Sequence, residues 1–305
     1  MIEPFSASRA GRHMICHGSA NLEEAIPGFM VQDEGTGAAA FGTQVHEVLA
    51  YIYEVGGSLK KLQTLEKELR LISERHKKKQ LSKLADPAEL EKVLPGVSTL
   101  TQDVLLQVIG ISHVTASATT PFQVSHLAHL VRILEYVNNI LHRLMTEHGE
   151  VLTATELTLV SEWTHGKQPT TLDLIFYGDD FMEIVDYKWG VVRVETVGNV
   201  QLMFYAATAL RLSPNAQDVK VHVAQPRADN FEQVTLTVGD LAAFAKEATR
   251  HEAEILAGDL TLNPSDHCFF CPANPIGRGS KGKPACPAIK KMLGSRTDRG
   301  ALNLE

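Results

Sequence analysis

The sequence predicts an α/β protein, with a central mixed sheet flanked by helices, and three observations carry the prediction. First, Leu172–Tyr177 (LDLIFY) and Phe181–Tyr187 (FMEIVDY) are short apolar runs bounded by Gly and Asp, and Gly178-Asp179-Asp180 between them is turn chemistry. Second, two further runs have strand character: 150–163 before this hairpin and Lys220–Gln225 (KVHVAQ) after it. Third, helical patterns run from Asn199 to Leu212 and from Asp240 to Ala257. The order strand, hairpin, helix, strand, helix suits a sheet with helices packed on it.

Taken from the start, residues 1–40 are polar and Gly/Ala-rich, with Ser6, Ser8 and Ser19 as candidate helix caps. Residues 41–56 (FGTQVHEVLAYIYEVG) form an amphipathic helical pattern, with Val45, Val48, Leu49 and Ile52 on one face and His46 beside it. Residues 59–83 are again helical, through Leu59, Leu62, Leu65, Leu69 and Ile72. They carry nine Lys/Arg against three Glu, a net charge of +6. Such a face is either solvated or tracks a phosphate backbone. Asp86-Pro87 opens a second short helix, and Pro95-Gly96 breaks it. Residues 97–120 are rich in Ser, Thr and Val and support no assignment. From Pro121 a long amphipathic helix is expected to about Glu147. Its histidines (His126, His129, His142 and His148) read as surface or packing residues, because His126 and His129 lack a matching partner pair for zinc.

The 305 residues are 44% hydrophobic and 21% charged, an ordinary balance for a soluble globular protein of one large domain or two small ones. No apolar run approaches the ~20 residues of a membrane span. The N-terminus shows no basic-then-apolar signal pattern, so the expected location is the cytosol, with no membrane partner. The net charge of −7 does not advertise nucleic-acid binding, and any DNA contact has to come from local basic patches. Four cysteines are too few and too unevenly placed for a disulfide framework.

Chemistry concentrates in the hairpin. With Asp179 and Asp180 as central turn residues, Asp173 and Asp186 are equidistant from the turn and face each other. Facing residues have Cβ atoms roughly 4.5–5.5 Å apart. Two carboxylates that close, among Leu172, Leu174, Phe176, Ile184 and Val185, repel unless a cation lies between them. Oxygen ligands at this separation suit Mg²⁺ or Mn²⁺. Side chains alternate along a strand, so Lys188 shares the face of Asp186. A hard divalent ion with a cationic donor beside it is a site for phosphodiester hydrolysis. On the next helix Gln201 and Tyr205 lie at i,i+4 on one face. Glu150, Glu156 and Glu162 are candidate extra acids, and spacing selects none of them.

Asp173 followed by Asp186-Tyr187-Lys188 resembles the core of the PD-(D/E)xK nucleases. Asn199-Val200-Gln201-Leu202-Met203-Phe204-Tyr205 resembles the Q-x-x-x-Y motif of the RecB-type branch, and Gly42-Thr43-Gln44-Val45-His46-Glu47 its upstream G-x-x-x-H helix. The opening Phe5-Ser6-Ala7-Ser8, with Cys16 shortly after, is similar to RecB-like nucleases carried by phages and prophages. The resemblance covers both ends and the core, not roughly residues 57–150. It departs from the family at Thr170, where a glycine is usual, and at Leu172, where the superfamily name puts proline. It implies a restriction-endonuclease-like core, with His46, Asp173, Asp186 and the main-chain carbonyl of Tyr187 as metal ligands and Lys188 as the catalytic donor.

The C-terminal part holds a second constellation. Cys268-Phe269-Phe270-Cys271 is a C-x2-C pair, and Cys286 follows after fourteen residues. With Cys16, four thiolates suit zinc or an iron–sulphur cluster. This one-plus-three layout resembles the iron–sulphur RecB-type nucleases, including the CRISPR-associated and AddB-like ones. The resemblance implies a [4Fe-4S] cluster on Cys16, Cys268, Cys271 and Cys286, although the gap to Cys286 is longer than usual and keeps zinc as the alternative. Residues 272–305 are locally basic, with seven Lys/Arg against two acids, for either DNA contact or a solvated end.

The resulting expectation is a metal-dependent DNA exonuclease acting on single-stranded or duplex ends in phage-type recombination or end resection. Its segments are 1–56, the N-terminal segment and first core helix; 57–149, a helical insertion; 150–260, the nuclease core; and 261–305, the Cys-rich cluster-binding and basic tail. The alternatives are a non-catalytic DNA-binding module and an accessory subunit of a helicase-nuclease. A single-strand annealing protein, a helicase or a second copy of the chain are the expected partners. The sequence has no G-x-x-x-x-G-K-[ST] loop, so unwinding has to come from another chain.

Overall fold

In the computed structural model the described residues are 5–26, 38–75, 86–114, 124–276 and 286–291. Five strands form one mixed sheet in the order β1-β2-β3-β4-β5: β1 Leu152–Val160, β2 Pro169–Tyr177, β3 Met182–Tyr187, β4 Asp218–Gln225 and β5 Asn230–Thr237. Only β3 and β4 pair in parallel; the other neighbours are antiparallel. The parallel step needs a crossover, supplied by helix α8 (Val200–Ala209). The hairpin has the expected register: Leu174 pairs with Val185 and Tyr177 with Met182, and the Gly178 N–H donates to the Phe181 carbonyl at 3.1 Å.

One face of the sheet packs on α1 (Ala7–Ile15), α8 and α9 (Val238–Leu256), around Ile175, Ile184, Val221 and Phe204. The other packs on α3 (Ala38–Val55) and α7 (Val124–His148), around Leu174, Phe176, Val185 and Leu127. Helices α4 (Leu59–Arg75), α5 (Pro87–Val93) and α6 (Thr99–Val114) contribute to that same apolar core. A shorter helix, α2 (Gly18–Glu24), follows α1. No described helix is long and apolar enough to cross a membrane.

Several elements depart from the expectations. Strand β5 has no counterpart among the expected elements; as an edge strand its residues are mostly half exposed, so NFEQVTLT alternates without an apolar run. A 3-10 turn at Pro226–Ala228 and Asp229 in the left-handed region (φ 50°) reverse the chain directly into it. Residues 99–114 are helical despite their β-branched content, because Val104, Leu105 and Val108 are buried. Glu68 of α4 also accepts from Ser98 N and from the Ser98 and Thr101 hydroxyls at the start of that helix. Of the candidate caps, Ser6 occupies the N-cap of α1 without a side-chain bond, whereas Ser8 and Ser19 lie inside helices. The described basic helix ends at Arg75; Lys77, Lys78, Lys79 and Lys83 lie outside the described residues, as do Arg278, Lys281, Lys283, Arg296 and Arg299 of the tail.

Glu183 ties the α7 layer to the sheet. It is buried in β3 and takes Arg143 of α7 at 2.6 Å, His222 Nε2 at 3.0 Å and Lys220 at 3.2 Å. The Tyr136 hydroxyl closes the network on His222 Nδ1 at 2.9 Å. Burial alone would raise the Glu183 carboxyl, but hydrogen bonds and charge from His222 and Arg143 outweigh it and hold the pKa down to about 2. Its stabilisation is therefore complete above the unfolded value of 4.5 and is lost as pH falls through about 2. Glu183→Gln is expected to cost on the order of 3 kcal/mol at neutral pH, measured by urea denaturation. It should also flatten the loss of stability between pH 5 and 2 seen in the parent protein.

Candidate functional site

The hairpin register puts Asp173 and Asp186 at the next facing pair beyond Leu174–Val185. Both are buried, Asp186 almost completely at 1% exposure. The Asp173 Oδ2 accepts the Tyr187 N–H at 2.7 Å, and its Oδ1 lies 3.3 Å from His46 Nδ1. Asp186 Oδ1 accepts from Lys188 Nζ at 2.9 Å, while its Oδ2 is buried with no hydrogen-bond partner. Burial, augmented by the charge of Asp173, outweighs Lys188 and pushes the Asp186 carboxyl up to about 6.

His46 reaches the pair from α3, whose face of Val45, Val48, Leu49 and Ile52 is buried against the core. Its ring meets the Tyr187 ring edge-on, with centroids 5.8 Å apart. Burial lowers its pKa, but the hydrogen bond and charge of Asp173 dominate and raise it. Of the three candidate glutamates the fold selects Glu156. Strand β1 pairs with β2 at Thr155–Leu174 and Leu157–Leu172, which sets Glu156 against Asp173. Donor atoms of His46, Glu156 and Asp173 lie within 4.8 Å of one another. Glu156 has a left-handed backbone (φ 45°), a costly conformation for a side chain other than glycine. Burial and the Asp173 charge raise its carboxyl. The signal that could have found Glu156 was the β1–β2 register, which the loop at 161–168 conceals.

Lys188 leads on to α8. Its Nζ donates to Gln201 Oε1 at 3.4 Å, and Gln201 Nε2 donates to the Tyr205 hydroxyl at 2.6 Å. Asn199 caps the helix by accepting from Gln201 N and Leu202 N. The intervening loop is held by buried Gln225, which donates to the Gly190 and Val192 carbonyls and accepts from Val194 N. Burial disfavours the Lys188 cation, but Asp186 and Asp173 outweigh it and raise its pKa. The Tyr205 hydroxyl is pushed up by burial and by the same two aspartates. Leu172 is a fully buried ladder residue paired with Leu157.

His126 and His129, expected to be surface or packing residues, pack around Trp189. His126 and His129 of α7 both meet its ring edge-on, and Arg227 donates to its carbonyl at 3.2 Å. Burial, with Arg227, lowers the pKa of both histidines, that of His126 to about 4, so they are neutral packing partners.

The four cysteines, 270 residues apart at their extremes, line one narrow cavity with Leu22, Leu262 and Asn274. None of the four is in a disulfide. Cys16 ends α1, Cys268 sits in a 3-10 turn over Asp266–Phe270, Cys271 caps that turn, and Cys286 precedes a helical turn at 287–291. The long gap before Cys286 is closed by its own N–H, which donates to the Ala273 carbonyl at 2.7 Å. Burial pushes the Cys16 and Cys271 thiols up. Among the described residues, the groups of three or more ligating side chains that converge within 4.8 Å are His46–Glu156–Asp173 and His17–His251–Glu254, with no cysteine among them.

Comparison with known proteins gives no match among curated proteins. Among solved structures, the one described as the crystal structure of SSO0001 is similar at 14% identity, with a TM-score of 0.31 over 77% of this chain and 98% of that one. Residues 4–283 match the family described as protein of unknown function (DUF2800), and the chain belongs to that family.

Proposed function

We propose that this chain is a metal-dependent deoxyribonuclease with a RecB-like PD-(D/E)xK core, acting exonucleolytically on DNA ends in phage-type recombination or end resection. The reading rests on one observation above all. The buried Asp186 keeps one oxygen without a partner while the other binds Lys188, and Asp173, His46 and Glu156 stand beside it. A buried acceptor without a donor is costly, and a divalent cation supplies the missing partner. Asp173, Asp186 and His46 would hold Mg²⁺ or Mn²⁺, with Glu156 as an additional carboxylate and the Tyr187 carbonyl as the family resemblance implies. Bound there, the ion lowers the pKa of an attached water and neutralises charge on the phosphate.

The protein's own groups do the rest. The ammonium of Lys188 has three protons, of which Asp186 and Gln201 take two, leaving one for a phosphate oxygen or the attacking hydroxide. Because its pKa is raised, Lys188 acts as a charged donor and not as a base. Gln201 is bound at both ends, so it fixes the lysine against Tyr205. The Tyr205 oxygen accepts from Gln201 and keeps its own proton for the scissile strand. The exposed lysines Lys60, Lys61 and Lys67 of α4 offer positive charge to a phosphate backbone on an otherwise acidic chain.

The cysteine cavity belongs to the same proposal, as a [4Fe-4S] site that fastens the segment ending α1 to the C-terminal segment. Four thiolates on one zinc must crowd to roughly 3.8 Å from each other, given bonds of about 2.3 Å. Among the described residues no three of the sulphurs lie within 4.8 Å of one another.

End-labelled linear DNA is expected to be degraded with Mn²⁺ or Mg²⁺ and spared with EDTA, while covalently closed circles survive. Lys188→Ala and Asp186→Ala should each lower the rate at least ~100-fold with the thermal transition of a folded protein retained; turnover like that of the parent from either would end the mechanism. Glu156→Gln should lower the rate less than either. Anaerobically purified protein should absorb broadly near the visible blue, and Cys271→Ser should remove that absorbance; a colourless protein containing stoichiometric zinc would replace the cluster by zinc.

A further inference from the structure

Far from the hairpin in sequence, His17 of the α1–α2 junction meets the C-terminal end of α9. His17 Nε2 lies 2.7 Å from His251 Nδ1, and the two rings cross edge-on. Glu254 Oε2 faces both of these nitrogens, at 3.8 and 3.6 Å, beyond hydrogen-bonding distance. The three donor atoms lie within 4.8 Å of one another. The Glu254 carboxylate is aimed by Arg250, which donates to its other oxygen at 2.6 Å.

The outer groups orient the inner ones. His17 Nδ1 is 2.7 Å from Asp259 Oδ2, and Asp259 Oδ1 accepts from Thr261 N and Oγ1. With Nδ1 donating to a carboxylate, His17 presents the lone pair of Nε2 to the site. A carboxylate–imidazole pair is the usual second layer of a metal-binding histidine. The backbone around His17 is fixed as well. The Gly18 N–H donates to the Thr261 carbonyl at 2.9 Å, and a Cβ at Gly18 would collide with the Leu260 carbonyl oxygen. Burial, with Arg250 and His17, lowers the His251 pKa, so its ring is neutral and available as a ligand.

We propose that His17 Nε2, His251 Nδ1 and Glu254 Oε2 form a zinc site, with Asp259 orienting His17 and the fourth position open to water. Two imidazoles and one carboxylate are a donor set that suits Zn²⁺. Ligand atoms on tetrahedral zinc stand roughly 3.3 Å apart, so the three converge on an ion with shifts of about half an ångström. Without metal, one proton lies between the two facing nitrogens, donated by His251 Nδ1. For His251 Nδ1 to take an ion, that proton would have to move to His251 Nε2, and the Arg250 Nη2 that now lies 2.9 Å from Nε2 would have to swing away, with the Glu247 carboxylate, 3.7 Å off and beyond hydrogen-bonding distance, moving in to accept it. No proton is lost and both rings remain neutral. The site clamps the residue following Cys16 to α9, independently of the carboxylates of the hairpin.

The test is zinc titration of the anaerobically purified full chain with Mg²⁺ in excess, followed by calorimetry, with cobalt as a spectroscopic substitute. The parent protein and Asp186→Ala should each bind one equivalent of Zn²⁺ at this site. His251→Ala should lose that equivalent, and Asp259→Asn should weaken it 10–100-fold without removing a ligand. Cobalt should give d–d bands without a thiolate charge-transfer band. Glu254→Gln, on a side chain 39% exposed, keeps the test decisive if His251→Ala fails to fold. Zinc binding unchanged in both of these variants, no zinc equivalent in the parent, or a cobalt spectrum dominated by thiolate charge transfer would each overturn the proposal.

Discussion

Two aspartates placed face to face on neighbouring strands set the terms for much of this structure. Asp173 and Asp186 cannot both be comfortable as anions among Leu174, Ile175, Ile184 and Val185 without compensation. Each is compensated by a different part of the chain. Asp173 receives the Tyr187 N–H and His46, the first from β3 and the second from a helix more than a hundred residues upstream. Asp186 receives Lys188, two residues on, and Lys188 is in turn held by Gln201 of the crossover helix. One oxygen remains unsatisfied, and burial together with the Asp173 charge pushes the carboxyl up to about 6.

The architecture around the pair follows from the need to bring these compensating groups together. A parallel β3–β4 step requires a crossover, and the crossover carries Gln201 and Tyr205 back over the end of β3. Buried Gln225 pins the loop that makes the return. On the opposite side of the sheet α3 is held by an apolar face, so His46 arrives on a rigid element. The strained Glu156 backbone fits the same pattern, since strain of this kind gathers where a side chain must be aimed.

The ends of the chain form a second organised region. Cys16 and His17 are adjacent, yet they serve different clusters: one faces the cysteine cavity and the other α9. Helix α1 just before them packs on α8 and α9, so the order of the N-terminal segment and that of the sheet are coupled. A fastening at either cluster thus bears on the helix layer that carries Gln201 and Tyr205.

The sequence by itself determined the hairpin, its register and the facing of Asp173 and Asp186, because a tight turn and a two-residue period leave no freedom once the turn is placed. It also determined the amphipathic helix of His46 and the helix that sets Gln201 and Tyr205 on one face, since their patterns are local. Tertiary structure alone decided the rest. Strand β5 is legible only as the partner of β4, and α6 only through the burial of its β-branched face and the cap that Glu68 supplies from another helix. The choice of Glu156 over Glu150 and Glu162 depends on the β1–β2 register across an irregular loop. The meeting of His17 with His251 has no local signal, because the pair is joined only by the packing of the elements between them, whereas the gathering of Cys16 with the three later cysteines was already expected from the cysteine layout and the family resemblance.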